Sequence, residues 1–408
     1  MKRVVITGMA SITALGNDWK TFESSLKLEQ NATRYISDWE DIEGLSTRLA
    51  APVEFTKPAH FSRKKIRSMG KVSLMATAAT EKALEESGLR DHSSLTNGET
   101  GISYGSSIGS TAPIVAFGEL MKNKTMNGVS ATSYIQMMAH TTAVNLGVYF
   151  ATKGRIITTS SACTSGSQGI GYAYEAIKFG KQKVMIAGGA EELCISEAAV
   201  FDTLYATSTK NSAPESTPRP FDADRDGLVI GEGAGTLILE DLEHALARGA
   251  NIIAEVIGFG TNSDGQHVTQ PTAETMAAAI QIALADAQLA ADDIGYVCAH
   301  GTATEVGDIA ESQATFTTFK RAVPISSLKS YLGHTLGACG AIEAWASINM
   351  MYSGWFAPTI NLTDIDNRCA PLDYIRSGGR EIHTDVVMSN NFAFGGINTS
   401  LIFKRWHD

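Results

Sequence analysis

The chain has 408 residues, 44% hydrophobic and 19% charged, which allows a large buried core and excludes general disorder. A formal charge of −10 excludes nucleic acid as the main partner, because binding phosphates needs a basic surface. The 38 glycines against 10 prolines predict many tight turns and close backbone approaches, as in layered α/β proteins.

The start, "MKRVVITGMASITALGN", pairs a basic tip with an apolar stretch, but Thr7, Gly8, Ser11 and Thr13 interrupt it. Residues 4–7 therefore predict a buried strand entering a glycine turn, not a signal peptide. A helix over 71–87 and a strand over 101–104 follow. Residues 125–152 lack Asp, Glu, Lys and Arg, yet Asn127, Gln136, His140 and Asn145 make them too polar to span a membrane. They predict a protein-covered helix at a subunit interface. Then come a strand over 155–158, a helix over 169–179 and strands over 184–187 and 235–239.

A second series begins near Asn251: "IIAEVIGFG", a helix over 275–287, "IGYVCAHG", "VPISS", and a helix from about Gly337. It ends in "VVMSNNFAFGG" and "TSLIFKR". The repeated order suggests a duplicated α/β half, with "ARGANI" around Gly249 as the boundary: 1–249 and 250–408. "FDADRDGLVIGEGAG" imitates a calcium loop, with Asp222, Asp224 and Asp226 alternating before Gly227. The bidentate glutamate should stand six residues after that glycine; Gly233 stands there and Glu232 is one short. No Gly-Lys-Ser/Thr follows to make a phosphate loop, so a structural loop is the reading. The five cysteines are scattered, odd in number and without a C-x-x-C pair, which predicts a reducing, cytoplasmic setting and no disulfide framework.

Cys163 alone reads as a small buried hydrophobe. Its surroundings change that: "RIITT" leads through "SSAC" into the small residues "TSGSQG", which open a helix. A thiol at a strand-to-helix turn meets unpaired N–H groups and the positive end of the helix dipole, and both favour thiolate. Possible partners follow in the second series. "CAHGTATEVGD" places His300 after a strand, and "SLKSYLGHTLGACG" places His334 between glycines with Lys329 five residues earlier. The other histidines (60, 92, 140, 244, 267, 383 and 407) read as surface or core. "NNFAFGGIN" offers backbone N–H groups for half of an oxyanion hole, the Cys163 N–H being the other half.

From "RVVITGMA" through "AGGAEEL", "RPFDADRDGLVIGEGAG", "HGTATEVGD" and "KSYLGHTLGACG" to "FGGIN", nearly the whole chain resembles the elongating β-ketoacyl-[acyl-carrier-protein] synthases. The resemblance implies a thiolase-like fold, two similar halves in a five-layered α-β-α-β-α body. It also implies a homodimer, or a heterodimer with a chain-length-factor-like paralogue, with acyl carrier protein as the partner. Cys163 matches the acyl-accepting nucleophile, and His300 and His334 match the pair that holds the malonyl thioester carbonyl. Lys329 matches the lysine organising the site, with Glu311 as its carboxylate partner and Asp308 in support. Thr302 and Thr304 match the threonines on the phosphopantetheine arm, Phe394 the gate whose N–H completes the oxyanion hole, and Ile108 an acyl-pocket residue. No metal and no resident cofactor is implied.

A carrier-docking patch is expected at Arg63, Lys64, Lys65 and Arg67, with Lys122 and Lys124 beside it. Thr164, Ala393 and Ile397 depart from the family pattern. Alanine resists positive φ, so Ala393 is expected to stiffen the gate turn. A thiolase would carry a second cysteine in "NNFAFGGIN", an initiating synthase an asparagine in place of His334, and a chain-length factor would lack Cys163. Fatty-acid elongation is the primary reading, with a specialised polyene or polyketide pathway as the alternative.

Overall fold

In the computed structural model, which describes residues 1–407, β1 (Val4–Ile12) is buried along its whole length. That explains why its apolar residues do not alternate with charged ones: both faces are covered. Four more strands complete the first half: β2 (Thr100–Gly105), β3 (Ile156–Thr159), β4 (Val184–Glu191) and β5 (Gly233–Asp241). The second half supplies β6 (Ala254–Ser263), β7 (Tyr296–Cys298), β8 (Pro324–Ser326), β9 (Val386–Ala393) and β10 (Ile397–Arg405).

The sheet order is β3-β2-β4-β5-β1 in the first half and β8-β7-β9-β10-β6 in the second, with Asp373–Tyr374 added outside β8. In each half the first three strands are parallel and the next two pairings antiparallel. The halves join where Val4–Ile6 of β1 pairs with Ala254–Val256 of β6. Order and strand direction are thus repeated, as the sequence pattern implied.

The helices that form the layers are α1 (Lys71–Glu86), α2 (Thr141–Phe150), α3 (Ser165–Lys178), α4 (Ala273–Ala287), α5 (Glu305–Phe319) and α6 (Cys339–Ser353). Strand parity sorts them into layers. Met185 and Ala187 of β4 share a central core with α3 and α6, whereas Val184 and Ile186 face an outer core with α1 and α2. A second outer core joins Met388 of β9 to α4 and α5. The result is α-β-α-β-α. At the centre the starts of α3 and α6 nearly touch: a Cβ on Gly166 would lie 2.9 Å from the Gly337 carbonyl oxygen. Each of these helices is preceded by a tight turn whose first residue is left-handed, Ala162 (φ 50°) and Leu336 (φ 46°).

Residues 125–152 are not one helix. A short helix, Ser133–Met137, ends where Met138 turns extended, and α2 then starts beyond His140. Asn145 spends its amide on the Thr141 carbonyl and on Ser68, which ties α2 to the basic segment before α1. Among the described residues no helix is long and apolar enough to cross a membrane. The calcium-loop lookalike is a brace: buried Asp222 accepts N–H bonds from Asp224, Thr363 and Asp364. All five cysteines are free.

Candidate active site

The turn after β3 is held by its own hydroxyls. Ser165 Oγ accepts from the Ser161 N–H (3.0 Å) and donates to the Ala162 carbonyl (2.7 Å), while Thr164 Oγ1 donates to the Ser161 carbonyl (2.7 Å). These bonds hold Ala162 in a left-handed conformation that costs about 1–2 kcal/mol. Cys163 follows, buried at the mouth of α3. Thr164, also buried, turns its hydroxyl into this brace and does not line the cavity around the sulfur.

Burial pushes the Cys163 thiol up to about 12, against the Lys329 charge and the N–H groups of Phe394 and of Cys163 itself. The thiolate expected from the helix terminus alone is therefore corrected: in the free protein desolvation outweighs the local dipole, and the thiol rests protonated.

His334 Nε2 lies 2.9 Å from Cys163 Sγ. Its Nδ1 accepts from the Leu336 N–H (3.2 Å), so in the neutral ring Nε2 carries the hydrogen and aims it at the sulfur. The His300 ring stands nearly perpendicular to it, with centroids 5.2 Å apart. Burial first, then the Lys329 charge, holds both imidazoles well below the ordinary histidine range, so both are neutral at neutral pH.

Lys329 forms a buried ion pair with Glu343 on α6. Burial disfavours its ammonium, but the facing carboxylate outweighs that and holds its pKa above the usual lysine value. Glu311 was expected in this role. It instead accepts the N–H groups of His300 (2.7 Å) and Gly301 (2.6 Å) and so fixes the loop carrying His300. Burial raises the Glu311 carboxyl to about 8. Asp308, raised to about 6 by burial, accepts from the N–H groups of Phe221, Thr302 and Ala303.

Cys163, His300 and His334 open onto a cavity of about 300 Å³, also lined by Thr302, Thr304, Asp308, Glu311 and Phe394. The two threonine hydroxyls are 2.9 Å apart. Phe394 packs on Phe201 with ring centroids 4.9 Å apart. β9 continues through Ala393, which pairs with Ile397, and only Gly395 and Gly396 take positive φ. The stiffening assigned to Ala393 is therefore corrected: its backbone is not left-handed, so alanine meets no φ penalty there.

Ile108 lies half-buried on a separate turn and does not line this cavity. That turn is held by Glu191, which accepts from the Ser107 N–H (2.7 Å) and reaches the Gly337 N–H (3.0 Å). Arg63, Lys64, Lys65 and Arg67 are exposed around the four-residue helix Arg63–Ile66, and none has an acidic partner within 4 Å among the described residues. Lys122 and Lys124 are exposed at the end of the helix Ala112–Asn123.

Sequence reasoning missed Glu343, Asn391, Glu191 and the segment 264–271, whose Val268 accepts from the Gly395 N–H (2.8 Å). It also missed His267, which lines the cavity from that segment. A single carboxylate in the apolar run "CGAIEAWASI" was an available signal for Glu343.

Residues 1–245 match the family described as beta-ketoacyl synthase, N-terminal domain, and residues 253–363 match its C-terminal domain. The 3-oxoacyl-[acyl-carrier-protein] synthase 1 of Haemophilus influenzae is 35% identical over 410 residues, covering 100% of both chains. The crystal structure of a beta-ketoacyl synthase from Burkholderia phymatum is 61% identical, with a TM-score of 0.98 and full coverage of both chains. A type II polyketide ketosynthase, solved with its acyl-carrier protein and bound to a hexaketide, is 28% identical with a TM-score of 0.85, again over 100% of both chains. With the matched domains, the full-length identity and the shared fold, the chain belongs to the β-ketoacyl synthase family.

Proposed function

We infer that the protein is an acyltransferase that joins an acyl group held on Cys163 to malonyl-[acyl-carrier protein], extending the chain by two carbons in fatty-acid elongation. The observation that carries this reading is the Cys163 sulfur 2.9 Å from a histidine N–H donor, beside a second neutral imidazole. In the first step the sulfur attacks a carrier thioester while its proton passes to the departing pantetheine thiol. The thioester oxygen turns toward the N–H groups of Cys163 and Phe394, which face the sulfur at rest.

Malonyl carrier then enters along Thr302 and Thr304. Cleavage of its carboxylate releases CO₂ and leaves an enolate, whose oxygen accepts from the Nε2–H groups of His300 and His334. The enolate carbon attacks the acyl-cysteine, the C–S bond breaks to release the β-ketoacyl carrier, and the Cys163 thiolate takes up a proton from solvent. These steps balance without a metal or redox group, so no resident cofactor is invoked.

Intact-protein mass spectrometry after mixing with acyl carrier should show one acyl adduct on Cys163, and adding malonyl carrier should convert it to a β-keto product. His334→Ala should lower CO₂ release from malonyl carrier by about 10²–10³-fold while Cys163 still becomes acylated. Unchanged release would remove His334 from the reaction.

Acyl carrier protein docks on the basic segment, whose cations have no acidic partner within 4 Å among the described residues, in a chain of net charge −10. Lys64→Glu with Lys65→Glu should raise KM for carrier-bound substrate by roughly tenfold, with little change in kcat. A second copy of the chain covers exposed apolar residues of the helix Ala112–Asn123 and of α2, where Val115, Met121 and Val148 are each at least 70% exposed. Five free cysteines suit a reducing compartment and support a cytoplasmic setting.

A further inference from the structure

Asn391 lies on the inward face of β9, fully buried, between Glu343 and His300. Its Nδ2 is 2.7 Å from Glu343 Oε2, 3.4 Å from His300 Nδ1 and 3.6 Å from Cys339 Sγ. Its Oδ1 has no hydrogen-bond partner among the described residues. The orientation of the amide follows from the carboxylate. Glu343, ionised against Lys329, only accepts, so a reversed amide would set two acceptors against each other. With one Nδ2 hydrogen on Glu343, the other is left for the side where His300 Nδ1 stands.

We propose that Asn391 is the positioning residue that fixes where His300 carries its proton. An Nδ1 that faces a donor must accept, and a neutral imidazole has one hydrogen, so His300 presents Nε2–H to the cavity. His334 reaches the same tautomer by another route, the Leu336 backbone N–H. The two rings thus offer matched donors, one set by the main chain and one by a side chain. The side-chain device can be altered by mutation, which makes it testable. The chain Lys329–Glu343–Asn391–His300 also gives the ion pair a route to the ring that does not touch substrate. Catalytic hydrogen bonds are often long in free proteins and shorten once substrate binds, so the 3.4 Å contact has room to tighten.

The kinetic part of this proposal rests on the condensing reaction above; the tautomer itself does not. Long-range ¹H–¹⁵N spectra of protein labelled in histidine nitrogen, with His300 assigned through His300→Gln, should show a pyridine-like Nδ1 and a pyrrole-like Nε2 in the wild type. The opposite pattern overturns the proposal, and this measurement needs no variant at Asn391. In Asn391→Ala the His300 signals should shift toward a mixture of tautomers. Malonyl-carrier decarboxylation should fall by about tenfold, part of what a complete oxyanion donor supplies, while acylation of Cys163 stays within about twofold. Equal losses in the two steps, or an unchanged tautomer in the variant, would reduce Asn391 to a packing role and overturn the proposal. If the alanine variant does not fold, the wild-type spectrum decides alone. A wild type that releases no CO₂ would overturn the proposed reaction and leave the tautomer result standing.

Discussion

Serine in place of Cys163 should abolish condensation, with a loss on the order of 10⁴-fold or more. Sulfur is both the better nucleophile and the group that the N–H donors of Phe394 and Cys163 face. Serine keeps the size of the side chain, so the braces from Ser165 and Thr164 should hold and the variant should fold. Trypsin digestion and mass spectrometry after incubation with acyl carrier provide the check. A thioester adduct elsewhere on the serine variant would move the nucleophile. In the proposed reaction decarboxylation uses the imidazole donors and not the sulfur, so the same variant should still release CO₂ from malonyl carrier. A parallel loss of both activities would contradict that division of roles.

Breaking the buried pair should have the largest effect on stability. Lys329→Met leaves the Glu343 carboxylate without its cation in a fully buried setting, and such losses run to about 3–5 kcal/mol. The sign of the pH dependence follows from burial, which raises the Glu343 pKa above the ordinary value. A carboxyl raised in the folded state binds more protons folded than unfolded between its two pKa values, so stability there falls as pH rises. The deficit of Lys329→Met should accordingly be smaller at pH 6 than at pH 8 in urea unfolding.

Adding Glu343→Gln should restore much of the stability by removing the stranded charge. It should not restore condensation, because the positive charge beside Cys163, His300 and His334 is still absent. Recovery of activity in the double variant would make the pair a packing element only.

The parts of this site that were legible in the sequence are those announced by local backbone chemistry. Cys163, His334 and Phe394 sit in turns of small residues and glycine at the ends of strands or the starts of helices, where short-range patterns are strongest. The partner of Lys329 was not legible in that way. Glu311 shares α5 with Glu305 and Asp308, Glu343 is the single carboxylate on α6, and only the packing of α6 decides between them. Asn391 differs from Asn390 by one step of strand parity, which puts their side chains on opposite faces of β9. The resting state of the thiol was misjudged for a related reason. A helix terminus acts within a turn, whereas desolvation depends on everything packed around the sulfur. The break near Met138 was hidden because residues 133–145 hold neither glycine nor proline to mark it.

The near-touching starts of α3 and α6 make the two matched turns unequal. The two halves repeat one another down to a left-handed residue before each central helix, and Gly337 follows Leu336 as Cys163 follows Ala162. A side chain at Gly337 would meet the Glu191 carboxylate at 2.7 Å, the Ser107 nitrogen at 2.8 Å and Ser106 Cα at 3.0 Å. The position in the second half that corresponds to Cys163 therefore has no room for a side chain, and of the two matched turns one alone holds a thiol.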